Sequence, residues 1–134
     1  MDELLLAWYG LNGRDLPWRR TRDPYAILVS EVMLQQTQAP RVVPIFEAFV
    51  ARFPDVATLA AASRADVVRA WAGLGYHRRA VALHEAARAI VERHAGVVPR
   101  DPRALRALPG VGPYTASAVA SMAYGEPVAA VDTN

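Results

Sequence analysis

One carboxylate lies within what the sequence predicts to be the apolar face of a helix. Ile27, Leu28 and Leu34 recur at helical spacing, and Glu31 comes four residues after Ile27 and three before Leu34. A charge at such a position costs free energy unless it is paired or protonated. An edge position or a structural hydrogen bond would explain the residue. The functional interpretation is a carboxyl whose pKa is raised by desolvation, which suits it to donate a proton.

A second candidate site is a glycine-containing turn between two predicted helices, within residues 102–124. Its central residues are Leu108-Pro109-Gly110-Val111-Gly112-Pro113-Tyr114-Thr115-Ala116. Glycine permits positive φ and the close approach of another backbone, and free amides at a helix N-terminus suit a phosphate. Two glycines alone would favour an ordinary turn between helices.

Three further stretches combine polar, basic or aromatic residues. Residues 14–22 place Trp18 among arginines, residues 35–38 form a polar cluster after Glu31, and residues 73–77 carry Tyr76 in a glycine-containing loop. Trp18 is either a core anchor or an exposed aromatic. The polar cluster either caps the helix or hydrogen-bonds base edges. Tyr76 either packs against the protein or stacks on bases.

Helical periodicity dominates and no strand alternation is convincing, so we predict an all-α fold. The predicted helices are 3–11, 24–36, 40–53, 55–62, 64–72, 78–95, 102–107 and 113–122, several of them with Asp or Ser caps. An apolar run then leads to Asp132, which in isolation would be another N-cap, with Asn134 in the following turn. We predict one domain over residues 1–134, incomplete at its C-terminal side.

Composition excludes several classes of site. The 134 residues are 53% hydrophobic, enough for one core, and no apolar run has the length of a membrane span or the features of a signal peptide. There is no cysteine, and all 15 basic residues are arginine, so these residues offer neither thiolate ligands nor a side-chain amine for a Schiff base. The net charge of +2 does not by itself indicate binding of nucleic acid.

The pair Arg78-Arg79 is either solvated or contacts phosphate. His84 and His94 are expected at the surface or in a groove.

These stretches, in this order, resemble the catalytic domain of MutY-type adenine DNA glycosylases, in the helix-hairpin-helix glycosylase superfamily. The resemblance covers nearly the whole chain and rests on residues 16–19, 30–38 and 73–76, on the hairpin, and on Val131-Asp132 with Asn134. It implies a six-helix barrel domain plus an N-terminal helix. It also implies a hydrolase that removes adenine mispaired with 8-oxoguanine or guanine.

The resemblance implies roles for individual residues. Glu31 would act as the acid, and Asp132 would stabilise or capture the sugar cation with assistance from Tyr114 and Asn134. The adenine pocket and the contacts with the duplex bases would come from Arg14, Trp18, Arg19, Leu34, Gln36, Thr37 and Tyr76. The DNA backbone would be bound by Leu108, Gly110, Val111, Gly112 and Thr115.

Position 114 separates two reaction types within the superfamily. Relatives that also cleave the strand carry lysine there, whereas this chain has Tyr114, which predicts hydrolysis without lyase activity. Two departures from the residue pattern of the family are minor: Thr133 stands where glycine is common, and His77 replaces a frequent aromatic residue. Two alternatives remain at this stage: a glycosylase that removes thymine or uracil from mismatches with guanine, and a truncated DNA-binding remnant without catalysis.

The resemblance also sets expectations for cofactors and partners. Family members carry a [4Fe-4S] cluster on four cysteines that would lie beyond Asn134, so none is expected to be bound by these residues. A monovalent cation is expected at the hairpin. The expected partner is double-stranded DNA with an A:8-oxoguanine or A:G mismatch. We expect a monomer without membrane contact, in a bacterial cytoplasm and associated with the nucleoid.

Overall fold

The all-α prediction is confirmed for the part of the chain that the structure describes. This structure is a computed structural model that describes residues 16–35, 37–75 and 77–126, in which there are seven α-helices, two 3-10 turns and no strand. The helices are α1 (Pro24–Met33), α2 (Ala39–Arg52), α3 (Val56–Ala61), α4 (Arg64–Ala70), α5 (His77–His94), α6 (Pro102–Arg106) and α7 (Pro113–Tyr124). The 3-10 turns are Pro17–Arg20 and Ala72–Leu74. The predicted first helix lies outside the described residues.

Local sequence signals determine where most helices begin. The Asp23 carboxylate accepts a hydrogen bond from the Tyr25 amide at 3.1 Å, and Asp101 accepts one from Arg103 at the same distance. The Ser63 hydroxyl caps α4 by accepting from the Asp66 amide at 3.1 Å. Each side chain satisfies an amide that has no partner inside the helix, so these predicted caps are confirmed.

Helix α1 lies at the centre and packs against α2, α5 and α7, whereas α3 and α4 pack against α5 and α6 packs against α7. The core that joins them contains large side chains from nearly every element. Among its fully buried members are Ile27, Leu28, Met33, Phe49, Leu59, Trp71, Leu83, Ile90 and Leu105. This packing of α1 against α7 brings Glu31 and the first turn of α7 to the same cavity.

Each described helix differs from its predicted bounds by one to three residues at one end or both. Helix α1 ends at Met33, not near Gln36, because Arg79 takes up its last carbonyl groups by hydrogen bonds. Helix α2 begins at Ala39, one residue before its predicted start, and contains Pro44 in its second turn. No described helix is both long and apolar enough to cross a membrane.

His84 is buried, and its predicted place at the surface or in a groove is wrong. Its side chain is 0% exposed on the inner face of α5, and its Nε2 lies 2.9 Å from the Ala62 carbonyl oxygen. A carbonyl only accepts, so Nε2 carries the proton and donates it. Burial lowers the pKa of His84, which the nearby Arg88 and Arg64 lower further, while the Ala62 carbonyl opposes the shift.

We expect the melting temperature to fall as the pH drops below about 6.5, the ordinary pKa of histidine. The unfolded chain binds a proton there and folded His84 does not, so this stabilisation is present above that pH and is lost below it. In thermal unfolding between pH 8 and 5, His84→Gln, which keeps an Nε2 donor, should show a flatter dependence than the wild type. His94→Gln serves as the control. Equal slopes for the wild type and His84→Gln would refute the assignment.

Candidate active site and nucleic-acid interface

Glu31 lies at a cavity between α1, α7 and the 3-10 turn at residues 17–20. The cavity has a volume of about 420 Å³, within the range of small-molecule sites. Its lining is mostly apolar, with a few polar groups. The lining residues are Leu16, Trp18, Arg19, Glu31, Leu34, Gln35, Ala39, Tyr114, Thr115, Ala118 and Met122. One carboxyl in such a setting is suited to proton transfer to a bound ligand.

The Glu31 carboxylate serves no structural contact within the described residues. It is half-buried, and none of them gives it a hydrogen bond or an ion pair. Burial raises its pKa, and the positive charge of Arg19 partly opposes that shift. A structural hydrogen bond therefore does not explain Glu31 in the described part of the chain. The interpretation of Glu31 as a proton donor is retained.

Trp18 proves to be both a core anchor and a wall of the cavity. It is 2% exposed, and its ring meets that of Phe46 edge-on at a centroid distance of 5.3 Å. Burial of the ring directs the neighbouring Arg19 outward, where its side chain is exposed at the edge of the cavity. Leu34 lines the same space, so three of the predicted adenine-pocket residues lie together.

Tyr114 is the exposed aromatic on the other side of the cavity. It lies in the first turn of α7 with 64% of its surface exposed, an unusual exposure for a large ring. The next residue, Thr115, is buried and accepts a hydrogen bond from Gln35 Nε2 at 3.3 Å. This bond joins the end of α1 to the start of α7, and sequence reasoning missed Gln35 as a cavity residue although it singled out the polar cluster.

The hairpin between α6 and α7 presents free backbone amides. The amides of Gly110 and Gly112 donate to no backbone group of the described residues, and Tyr114 and Thr115 occupy the first turn of α7, where amides lack a helical partner. The side chains of Leu108 and Val111 are buried and anchor the turn. Their predicted role in DNA binding therefore has to come from the backbone.

The two hairpin glycines have different structural causes. Gly110 has φ +76°, and a Cβ there would lie 2.7 Å from the Cβ of Ala82 on α5, so both the backbone and the packing require glycine. Gly112 has φ −89°, and a Cβ there would meet nothing within 4 Å. The described protein itself gives no reason for glycine at position 112.

Thr37 and Arg79 are used in a contact that the sequence did not predict. Arg79 Nη2 donates to the Thr37 hydroxyl at 3.1 Å, and Nη1 donates to carbonyls at the end of α1. Arg79 is therefore part of the protein's own structure, neither a solvated charge nor a free phosphate ligand. No local sequence signal indicated this, because the partners lie more than forty residues away.

Five predicted site residues lie outside the described residues: Arg14, Gln36, Tyr76, Asp132 and Asn134. Their roles stay predictions. In the described ranges no group of three or more His, Asp or Glu side chains could hold a metal ion. The 134 residues contain no cysteine, so they do not fit an iron–sulfur cluster.

Comparison with known proteins shows the family of the chain. A model of the HhH-GPD superfamily base excision DNA repair protein matches residues 29–134. The chain belongs to this superfamily. The matched HhH-GPD region includes both Glu31 and the hairpin, so the resemblance on which the sequence prediction was based is confirmed.

Curated members of the superfamily are similar over almost the entire chain. Adenine DNA glycosylase of Mycobacterium tuberculosis is 55% identical over 134 residues, which cover 99% of this chain and 44% of that protein. Human adenine DNA glycosylase is 46% identical over 139 residues, covering 97% of this chain and 26% of that protein. The chain thus spans less than half the length of these relatives.

Solved structures confirm the helix-hairpin-helix glycosylase fold. A thermostable thymine-DNA glycosylase has a TM-score of 0.83 at 35% identity, covering 97% of this chain and 60% of that chain. Endonuclease III in a trapped covalent intermediate with DNA has a TM-score of 0.78 at 28% identity, covering 84% of this chain and 54% of that chain. Some of these HhH-GPD neighbours are therefore complexes with DNA.

Proposed function

We propose that this chain is the catalytic part of an adenine DNA glycosylase, which hydrolyses the N-glycosidic bond of adenine mispaired with 8-oxoguanine or guanine. The observation that carries the proposal is the Glu31 carboxyl, which lines an apolar cavity without a structural partner among the described residues. The 55% identity to the M. tuberculosis adenine DNA glycosylase supports adenine as the base.

The chemistry follows from the leaving group. A base inside a duplex is out of reach, so adenine has to be rotated into a pocket such as the cavity at Glu31. Adenine leaves poorly as an anion, and Glu31, whose pKa burial raises, donates a proton to the ring as the C–N bond breaks. The bonding electrons go to the base, and positive charge develops on the sugar.

A second carboxylate then completes the reaction. Asp132 is proposed to stabilise the sugar cation or capture it, with Asn134 and Tyr114 beside it, as in the two-carboxylate logic of glycoside hydrolysis. Water then adds to the sugar, and Glu31 takes up its proton. Tyr114 offers no amine, so the sugar is not attacked by nitrogen and the strand is not cleaved by β-elimination.

Binding of the DNA is proposed to rest on the hairpin and on the arginine-containing turn. The free amides of Gly110, Gly112, Tyr114 and Thr115 point to a phosphate ligand in a protein of this superfamily. Arg19 is exposed beside the cavity, where a guanidinium attracts the phosphate backbone. We also propose that the hairpin binds a monovalent cation. The protein is proposed to act as a monomer, on nucleoid DNA in the cytoplasm.

The test is a panel of duplexes that contain A opposite 8-oxoguanine, A opposite G, and T opposite G, with alkali to reveal abasic sites. We expect adenine release from the first two and none from T:G. Because a thymine-DNA glycosylase shares the fold at a TM-score of 0.83, turnover of T:G alone would replace the proposal with that activity. Binding of the duplexes without release of any base would indicate a non-catalytic remnant.

The same panel tests hydrolysis against lyase chemistry. We expect strands to remain intact until alkali is added, and borohydride to trap no covalent complex, because all 15 basic side chains are arginine and none supplies a primary amine. A nicked strand before alkali, together with a borohydride-trapped complex, would contradict the role assigned to Tyr114.

A further inference from the structure

Two arginines connect the turn after α1 with the loop before α5. We define the first segment by its described residues 34, 35, 37 and 38 and call it the α1 turn; the second, residues 73–75, we call the glycine loop. Arg41 comes just after the α1 turn and donates from Nε and Nη2 to the Gly73 carbonyl at 3.2 and 3.0 Å. Arg79 comes just after the glycine loop and reaches back to the α1 turn. The two contacts therefore cross between the segments.

Arg79 makes the more extensive contact of the two. Its Nη1 donates to the Val32 and Met33 carbonyls at 3.0 Å each and also to the Gln35 carbonyl, while Nη2 donates to the Thr37 hydroxyl. The carbonyl acceptors lie at or just past the C-terminus of α1, where the helix dipole attracts a cation. The planar fork of the guanidinium suits acceptors in several directions, which a single ammonium does not match.

The α1 turn also forms part of the cavity wall. Leu34 and Gln35 line the cavity, and Gln35 donates to Thr115 in the first turn of α7. The segment that Arg79 holds thus follows directly on the helix that carries Glu31 and contacts the helix that carries Tyr114. Since Arg41 and Arg79 are not among the residues that line the cavity, they do not touch a ligand there.

We propose that Arg41 and Arg79 are positioning residues, which form a crossed clamp between the α1 turn and the glycine loop and so hold the wall of the Glu31 cavity in its reactive geometry. This inference rests on the proposed glycosylase function. Misplacement of a reacting group by about 1 Å costs up to about 100-fold in rate. The clamp therefore affects the rate of base release more than it affects the affinity for DNA.

The test is single-turnover release of adenine with the protein in excess, so that all the duplex is bound. For Arg79→Lys and for Arg41→Gln we expect the release rate to fall roughly 10- to 100-fold, while the Kd for the duplex changes less than about threefold. Lysine keeps the charge of Arg79 but not its fork, so it should not rescue the rate. The matched control is Arg93→Gln, which removes an exposed charge from the last turn of α5.

The combination of the two variants tests the clamp as a unit. If both arginines hold the same pair of segments, Arg41→Gln with Arg79→Lys should lose less than the product of the single losses. Melting temperatures establish that each variant is folded at the assay temperature; Arg41 is exposed, so its variant serves even where the Arg79 variant unfolds. Release rates equal to that of Arg93→Gln overturn the clamp while leaving the function intact. A wild type that releases no adenine overturns the proposed function itself.

Discussion

Glu31→Gln should lower the rate of adenine release about 10²- to 10⁴-fold, the usual contribution of a positioned general acid. The amide has nearly the shape of the protonated carboxyl but cannot transfer a proton to the base. Because Glu31 makes no hydrogen bond or ion pair with the described residues, the melting temperature and the Kd for the mismatched duplex should change little. The measurement is single-turnover release from an A:8-oxoguanine duplex.

Glu47→Gln is the matched control, since it makes the same change at an exposed carboxylate of α2. The pH profile is an independent check. Burial raises the pKa of Glu31, so its acid form persists to a higher pH than in an ordinary glutamate, and release should decline as the pH rises through that pKa. If Glu31→Gln releases adenine at the wild-type rate, Glu31 is not the general acid of the reaction.

Gly110→Ala and Gly112→Ala should differ in their effect on stability although only Val111 separates the two glycines. At Gly110 alanine meets Ala82 of α5 and a positive φ, so we expect a loss of about 2–5 kcal/mol in the free energy of unfolding. At Gly112 the added methyl meets open space at an ordinary φ, so stability should change by less than about 0.5 kcal/mol.

Gly112→Ala should instead lower the affinity for DNA. If a phosphate approaches the free amides of the hairpin, a methyl group at Gly112 obstructs it, and the Kd should rise roughly 10- to 100-fold, as for the loss of a charge-assisted hydrogen bond. Fluorescence anisotropy with a labelled duplex measures this, with chemical denaturation measuring stability in parallel. If the Gly112→Ala variant is fully stable and binds the duplex as tightly as the wild type, the DNA backbone is bound by another part of the protein.

Local sequence patterns predicted most of the fold. Helix starts followed from Asp23, Ser63 and Asp101, because a cap acts on amides two or three residues away. The place of Glu31 on an apolar face followed from helical periodicity alone, and the structure confirms that it is half-buried at a cavity.

The errors arose where contacts link distant parts of the chain. His84 was expected at the surface or in a groove, but it is completely buried and its partner, the Ala62 carbonyl, belongs to the segment after α3. The predicted end of α1 is too late, because the carbonyl acceptors of Arg79 lie 46 and 47 residues away from it in sequence. A periodicity of 3.6 residues contains no information about such pairs.

The sequence by itself determined the all-α class, the carboxylate within an apolar helix face and the absence of any lysine to act as a nucleophile. These depend on residue type and on neighbours within one or two helical turns. Only the tertiary structure decided that Arg79 holds a turn in place and that Trp18 belongs to both the core and the cavity wall. It also decided that Ala82 leaves no room for a side chain at Gly110, whereas no described residue restricts Gly112. These depend on which helices meet, and that is decided by the packing of the whole core.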